Sequence, residues 1–424
     1  MRIENVVCAF CGSLCDDIEV TVEDGQIVKL AKACAIARSL FMNYRKNLAK
    51  PMVGGREVSL EVCIEETVSI LAQARYPLIY GLSSTTCEAQ RKAIELAELV
   101  GGSIDSTSSV CHGPTTLALQ VVGEVTCTLG EIKNRADLVV FWGCNPADSH
   151  SAHMARYSVS ARGYFTPNGR RDRTIVVVDV RHTPTARAAD IFLQVKPNQD
   201  YECLSALRTI LKGEKLDADE VGGLPIGALV ELAERMKKCR FGILFFGMGL
   251  TMTKGKHLNT SAALSLVRDL NRFTKFTAMP MRGHFNVAGS DATLTWQTGY
   301  PYAVNFSRGY PQYNPGEFSA VDILARREAD AALILASDPM ASLPYHASHY
   351  LEEIPTIVID PKRSMTTEVA KVVIPTAMAG ISAEGTAYRM DNIPIRLRKV
   401  VDSPYPSDKE VLDKIIEGVK QCSG

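Results

Sequence analysis

Ala136-Asp137-Leu138-Val139-Val140-Phe141-Trp142-Gly143-Cys144-Asn145-Pro146-Ala147-Asp148-Ser149 decides the fold, because the chain writes it twice. It aligns without a gap on Ala329-Asp330-Ala331-Ala332-Leu333-Ile334-Leu335-Ala336-Ser337-Asp338-Pro339-Met340-Ala341-Ser342. A second strand pattern follows each copy. Thr174 to Asp179 leads to Arg181, Thr183 and Thr185, and Thr356 to Asp360 leads to Lys362, Ser364 and Thr366. Third come Ile191-Phe192-Leu193 and Val372-Val373-Ile374, each running on to a proline. Two copies of one β-α-β unit are therefore expected.

These runs are apolar at every position rather than at alternate ones, so both faces of each strand must be buried. That implies parallel sheets flanked by helices. Phe241 to Phe246, closed by Gly247-Met248-Gly249, adds another such strand, and Tyr76 to Gly81 a further one before a helix over Thr86 to Leu99. The strands end in Gly, Asn, Asp or Pro, where open α/β sheets bind ligands. Duplicated strand ends suggest two similar ligand halves. Neither a dinucleotide fingerprint nor a P-loop is present, so the standard NAD and ATP loops are excluded. The first fifty residues read differently, as a small β-rich module with a hairpin (Asp17 to Thr21 and Ile27 to Leu30) around Glu23-Asp24-Gly25-Gln26.

The chain has 424 residues, enough for two or three domains. Its 47 basic and 47 acidic residues cancel, which argues against a nucleic-acid or membrane-surface partner. No apolar run reaches the ~20 residues of a spanning helix. The start, Met1-Arg-Ile-Glu-Asn, lacks a signal-peptide core. Twelve cysteines without an export signal point to a reducing cytoplasm.

Cys8, Cys11, Cys15 and Cys34 carry the clearest chemistry. Three thiols in a C-x2-C-x3-C loop and a fourth beyond a strand pattern suit the four thiolates of a cubane iron–sulfur cluster. Zinc also accepts four cysteines, although a second C-x2-C knuckle is missing. Cys63, Cys87, Cys127, Cys203, Cys239 and Cys422 have no spacing logic and read as core or surface thiols.

Ser108-Ser109-Val110-Cys111-His112-Gly113-Pro114 sets a thiol and an imidazole before a Gly-Pro turn. Cys111 reads as a nucleophile, a metal ligand or a buried structural thiol. Arg282, in Met279-Pro280-Met281-Arg282-Gly283-His284-Phe285-Asn286-Val287-Ala288-Gly289, offers a planar fork to a carboxylate, or is a surface cation. Ala383-Glu384-Gly385-Thr386 follows the last repeat strand. The pairs His150/His153 and His346/His349 lack a third ligand at a useful spacing.

Together these segments resemble the molybdopterin oxidoreductase superfamily, through the cysteine cluster, the later cysteine, R-G-x-x-N-V-x-G and E-G-T. Within it the chain looks like the catalytic B subunits of archaeal formylmethanofuran dehydrogenases, through C-x2-C-G-x2-C-D-D-I, S-V-C-H-G-P, W-G-C-N-P-x-D-S-H and M-R-G-H-F-N-V-x-G.

That resemblance implies a tungsten or molybdenum ion held by two molybdopterin guanine dinucleotides, with Cys111 as protein ligand. His112 and Arg282 would flank the substrate, His112 orienting it or handling a proton. Cys8, Cys11, Cys15 and Cys34 would hold a [4Fe-4S] cluster. Asn145, Asp179, Arg181, Thr183, Asp200, Gly247, Asn286, Asp338, Asp360, Thr366 and Glu384 would contact the dinucleotides.

The implied fold is α/β: a small N-terminal β-rich iron–sulfur module and two Rossmann-like parallel-sheet domains related by a pseudo-two-fold repeat. The expected domains are 1–55 with 375–403 (cluster), 56–125 with 275–374 and 404–424 (first pterin site), and 126–274 (second pterin site). The C-terminal β-barrel of larger relatives is missing from the sequence, so a small β-barrel subunit is expected to cover the pterins. An amidohydrolase-like subunit and a polyferredoxin or other ferredoxin-type donor, with heterodisulfide reductase as a further candidate, complete the expected partners. The implied reaction reduces carbon dioxide to formate, the first step of methanogenesis from carbon dioxide. Rival readings are a formate dehydrogenase of the same superfamily, a cofactor-free scaffold of a formyltransferase/hydrolase complex, and a zinc-bearing assembly protein.

Overall fold

Alternate residues of the duplicated stretch go to opposite faces of one sheet. Val140 and Trp142 are buried on one side, and Val139 and Phe141 on the other. This is how an unbroken apolar run becomes a central strand. Each fully buried Phe or Val side chain contributes roughly 1.5–3 kcal/mol of transfer free energy. The computed structural model describes residues 1–423 and resolves two compact units. The first comprises 1–110, 284–389 and 394–424, and the second 111–283 and 390–393.

In the second unit five strands form one parallel sheet, in the order Ile191–Gln194, Thr174–Asp179, Leu138–Trp142, Phe241–Phe246, Lys275–Pro280. Numbered along the chain, this is the order 3-2-1-4-5 of a doubly wound dinucleotide fold. Helices Asp200–Leu211, Ile226–Lys238 and His257–Leu270 pack on the Trp142 face, and Leu129–Arg135 on the Phe141 face.

The first unit holds a nine-stranded sheet with a parallel centre: Val372–Ile374, Thr356–Ile359, Ala331–Leu335, Pro77–Gly81, Ser103–Ser106. Spatially the repeat strands take the same places as in the second unit. Along the chain, however, the copy is permuted, because its fourth and fifth strands come first. Two-residue strands at Val304–Asn305 and Gln312–Tyr313 extend one edge, and Met52–Val53 and Arg56–Glu57 the other, all antiparallel. Leu60–Gln73, Cys87–Leu99 and Asp408–Ser423 cover one face. The expected helix start at Thr86 is its N-cap, whose hydroxyl accepts from the Ala89 N–H at 3.3 Å.

The amino-terminal residues form an antiparallel sheet of Arg2–Val6, Ile18–Glu23 and Gln26–Ala31. Its hairpin is tighter than the sequence suggests. Only Asp24 and Gly25 turn, both with positive φ (47° and 72°), which matches the right-handed twist of the strands and lets them run to Glu23 and from Gln26. A hairpin of Gly385–Tyr388 and Pro394–Leu397 shares a separate small core with this region: Val7, Leu14, Phe285, Ala379, Ala387 and Leu397. No helix among the described residues is long and apolar enough to cross a membrane.

Candidate active site

Gly113 and Pro114 open the helix Gly113–Val122, with His112 at its N-cap position. Proline fits there because its missing N–H would have had no helical partner. The turn this creates presents Cys111 half-buried and His112 fully buried. The Cys111 carbonyl accepts from the Thr251 hydroxyl at 2.8 Å.

His112 reaches across 169 residues of sequence: its Nε2–H donates to the Met281 carbonyl at 3.3 Å. A carbonyl can only accept, so Nε2 carries the proton and Nδ1 accepts from the Thr115 hydroxyl at 3.1 Å. Burial, reinforced by the Arg282 charge, drives the His112 pKa down to about 3, so the ring is neutral. The neutral ring thus keeps a single proton, on Nε2, and commits it to the Met281 carbonyl. His150 makes the parallel contact, donating from Nε2 to the Arg282 carbonyl at 2.8 Å and accepting at Nδ1 from Ser149 at 2.8 Å. Burial lowers its pKa too. Cys111, His112 and Arg282 thus belong to the same unit, with two neutral histidines holding the Met281-Arg282 backbone.

Sequence reading missed Glu124, which lies in the irregular segment after this helix. Its Oε1 is buried and has no hydrogen-bond partner among the described residues. Burial pushes its pKa up to about 7, with the Arg282 charge pulling the other way. An acid in Val-Gly-Glu-Val carries no periodic signal, so only tertiary burial reveals it.

Both repeat crevices are built alike. Asn145 Oδ1 accepts from the Thr185 N–H (3.2 Å) and hydroxyl (2.6 Å), and that hydroxyl oxygen accepts from the Ala147 N–H (3.1 Å). Asp338 Oδ1 accepts from the Thr366 N–H (3.0 Å) and hydroxyl (2.6 Å), and Thr366 in turn accepts from the Met340 N–H (3.1 Å). Thr185 was legible from its alignment with Thr366. One strand further, Asp179 accepts from the Arg181 N–H (3.3 Å) and Asp360 from the Lys362 N–H (2.8 Å). Burial raises both acids, Asp360 to about 7.

The other expected contacts are placed individually. Thr183 is buried and its hydroxyl accepts from the Ala186 N–H. Asp200 takes the Trp142 indole N–H at 2.8 Å on Oδ1, while Oδ2 is buried without a partner among the described residues. Gly247 lies where a Cβ would come within 2.7 Å of the Cys144 Cβ, so its lack of a side chain is explained by close packing of two turns. Asn286 is fully buried and spends its amide on the Thr85 carbonyl (2.7 Å) and the Tyr388 N–H (2.8 Å). Glu384 pairs with Arg396 at 3.1 Å and lines a cavity of about 630 Å³ with Thr86, Glu88 and Thr386.

Cys8 and Cys15 are buried and Cys11 and Cys34 half-buried. The Cys8 N–H donates to the Cys15 carbonyl at 2.9 Å, closing the loop. Burial raises the Cys8 pKa most, and the charges of Cys11, Cys15 and Cys34 raise it further, so all four thiols lie within electrostatic reach. Yet no three His, Cys, Asp or Glu side chains among the described residues are set to grip one ion. Four soft thiols within reach of one another suit a multi-iron cluster, in which each iron takes its own cysteine. Cys34 also caps the helix Ala35–Met42, accepting from the Ala37 N–H at 3.4 Å. At the other end of that helix, the Lys362 ammonium donates to the carbonyls of Asn43 (3.0 Å), Tyr44 (2.6 Å) and Lys46.

The donors therefore fit the implied groups: soft thiols for iron, a half-buried thiol next to the histidine that holds the arginine loop, and an orphan carboxylate oxygen at one crevice. No protein-family model matches the chain. Acetylene hydratase from Pelobacter acetylenicus superposes with a TM-score of 0.77 over 99% of this chain and 70% of that one, at 15% identity, which speaks for the fold alone. The formyltransferase/hydrolase complex FhcABCD from Methylorubrum extorquens, solved with methylofuran, contains a chain that matches with a TM-score of 0.71 and 25% identity, over 88% of this chain and 99% of that one.

The fold is consistent with the molybdopterin oxidoreductase superfamily, and the curated relatives make the chain an oxidoreductase subunit. The B subunit of the tungsten-containing formylmethanofuran dehydrogenase 2 of Methanocaldococcus jannaschii is 52% identical over 99% of both chains, and that of Methanococcus maripaludis 46% over 99% of both. The chain belongs to the family of formylmethanofuran dehydrogenase B subunits.

Proposed function

We propose that this protein reduces carbon dioxide to formate at a tungsten or molybdenum centre held by two pyranopterin guanine dinucleotides. Relatives named as tungsten-containing favour tungsten. The observation that carries the reading is the hydrogen bond from His112 to the Met281 carbonyl, which draws the Cys111 turn to the arginine loop. The metal-dithiolene group would supply the redox chemistry. Cys111 would ligate it as thiolate, which metal coordination deprotonates outright. Arg282 would hold the carboxylate-like species through paired hydrogen bonds. His112, kept neutral, would fix the loop that presents Arg282.

Cys8, Cys11, Cys15 and Cys34 would hold a [4Fe-4S] cluster that passes electrons inward. The separate small core shared by the amino terminus and residues 379–397 supports a cluster module of its own within the first unit. Asn145, Thr185, Asp338 and Thr366 would shape the two crevices, with Asp179, Arg181, Thr183, Asp200, Asp360 and Glu384 facing the dinucleotides. As one component of a larger assembly, the chain would meet a β-barrel subunit, an amidohydrolase-like subunit that uses the formate, and a ferredoxin-type donor, in the cytoplasm. Retention of all five proposed ligand cysteines weighs against a metal-free scaffold.

Elemental analysis of the purified complex tests the reading. About four irons per chain with tungsten or molybdenum is expected. A complex holding zinc alone, or one that carries both metals yet leaves carbon dioxide untouched by a low-potential reductant, overturns it.

A further inference from the structure

Reduction of carbon dioxide to formate consumes two electrons and one proton, and the proton needs a holder near Arg282. Neither histidine that braces the arginine loop can serve. Both nitrogens of His112 are engaged, by Thr115 and the Met281 carbonyl, and both of His150, by Ser149 and the Arg282 carbonyl. Releasing a proton from either Nε2 would break the bond that holds that loop.

Glu124 is different. Its Oε1 is shielded from solvent and meets no donor among the described residues, which is costly unless that oxygen has work to do. The charged and titratable groups that act on it or feel it are few. The segment is tied to strand Lys275–Pro280 by the Ala278 N–H, which donates to the Val125 carbonyl at 2.8 Å; the Arg282 charge, from the loop after that strand, reaches Glu124, and Cys127, on its own segment, feels the Glu124 charge. Cys127 is held by Thr277 at 3.2 Å and burial pushes it up to about 12, so it stays a thiol.

We infer that Glu124 is the proton-holding residue for this reaction, storing the proton as a neutral carboxylic acid beside Arg282. The inference rests on the proposed reduction of carbon dioxide. Carbon dioxide gains two electrons from the low-potential donor and one proton from the Glu124 carboxyl, giving formate. Glu124 is left as carboxylate, the Arg282 guanidinium stabilises it, and solvent returns the proton. In the reverse direction the carboxylate accepts the proton that formate loses. A carboxyl poised near neutrality by burial is suited to both directions.

The test uses the holoenzyme complex carrying Glu124→Gln, an isosteric change that cannot ionise. Iron and group-six metal content should match the parent, while formate–carbon dioxide interconversion at pH 7 should fall by about 10²-fold. The limb of the parent's pH–rate profile near 7 should vanish, and Glu124→Asp should restore part of both. Infrared difference spectra should contain a protonated-carboxyl C=O band that titrates in the parent and is missing from the glutamine variant. This readout survives even if the variant is inactive for other reasons. A glutamine variant with the parent's rate and pH limb, or a parent without the titrating band, overturns the inference. A parent complex that titrates as described but never interconverts the two carbon species sinks the functional reading instead.

Discussion

The Thr366 hydroxyl donates to Asp338 Oδ1 at 2.6 Å, and the Thr185 hydroxyl donates to Asn145 Oδ1 at the same distance. Each bond ties the end of a first repeat strand to the turn after the second. A carboxylate in one copy and an amide in the other do one job, because each offers an oxygen to the same N–H and O–H pair. The first prediction follows. Asp338→Asn keeps the acceptor and should be tolerated, whereas Asp338→Ala strands a buried hydroxyl and an N–H and should cost about 1–3 kcal/mol. Urea unfolding of both variants checks it, and equal midpoints would refute it.

Lys362 should matter for the proposed iron–sulfur cluster without touching it. Its ammonium holds three carbonyls after the helix that Cys34 begins. Lys362→Met should leave all four thiols in place yet speed iron loss to a chelator several-fold. Unchanged release kinetics would show that the lysine is only a local cap.

Replacing Cys111 by Ser should separate the two proposed metal sites. Serine is a harder, less easily ionised ligand, so turnover should drop by at least ~10²-fold while iron content stays at the parent value. Joint loss of iron and activity would instead indicate a folding role for this thiol.

His153 sets an acid limit on the second unit. It is fully buried, edge-on to Phe245 at 4.8 Å, with Nε2 unpartnered among the described residues, and burial drives its pKa down to about 3. The unfolded chain takes up a proton near pH 6.5 that the folded ring refuses. Stability is therefore complete above that pH and falls as pH drops from 6.5 toward 3, by about 2 kcal/mol at pH 5. His153→Phe should flatten the acid side of the stability curve. Trp142 belongs to this unit and Trp296 to the other, so fluorescence in a Trp296→Phe background reads the effect.

How far the sequence spoke depended on burial. Leu138–Trp142 and Phe241–Phe246 were legible residue by residue, because strands buried on both faces leave an uninterrupted apolar run. Val304–Asn305 and Gln312–Tyr313 were not, since two-residue edge strands carry no period. The site divided in the same way. Thiols advertise themselves by element and spacing, so Cys8, Cys11, Cys15, Cys34 and Cys111 stood out. Glu124 did not, because an acid in a coil is normally solvated. Asn286 and Gly247 drew notice for the company they keep in motifs; in the structure Asn286 bonds the Thr85 carbonyl and the Tyr388 N–H, and Gly247 lies in a close turn.

Strand order also separates the two halves. One half writes its five sheet strands along the chain in the order one to five, while its sibling begins with strands four and five and resumes at one only after the other half's strands have been spelled out. Relative to the first half, the second is a circular permutation with the other half inserted between its fifth and first strands. A rearranged gene in which the permuted half starts near Ala329 would give both halves the same strand order along the chain.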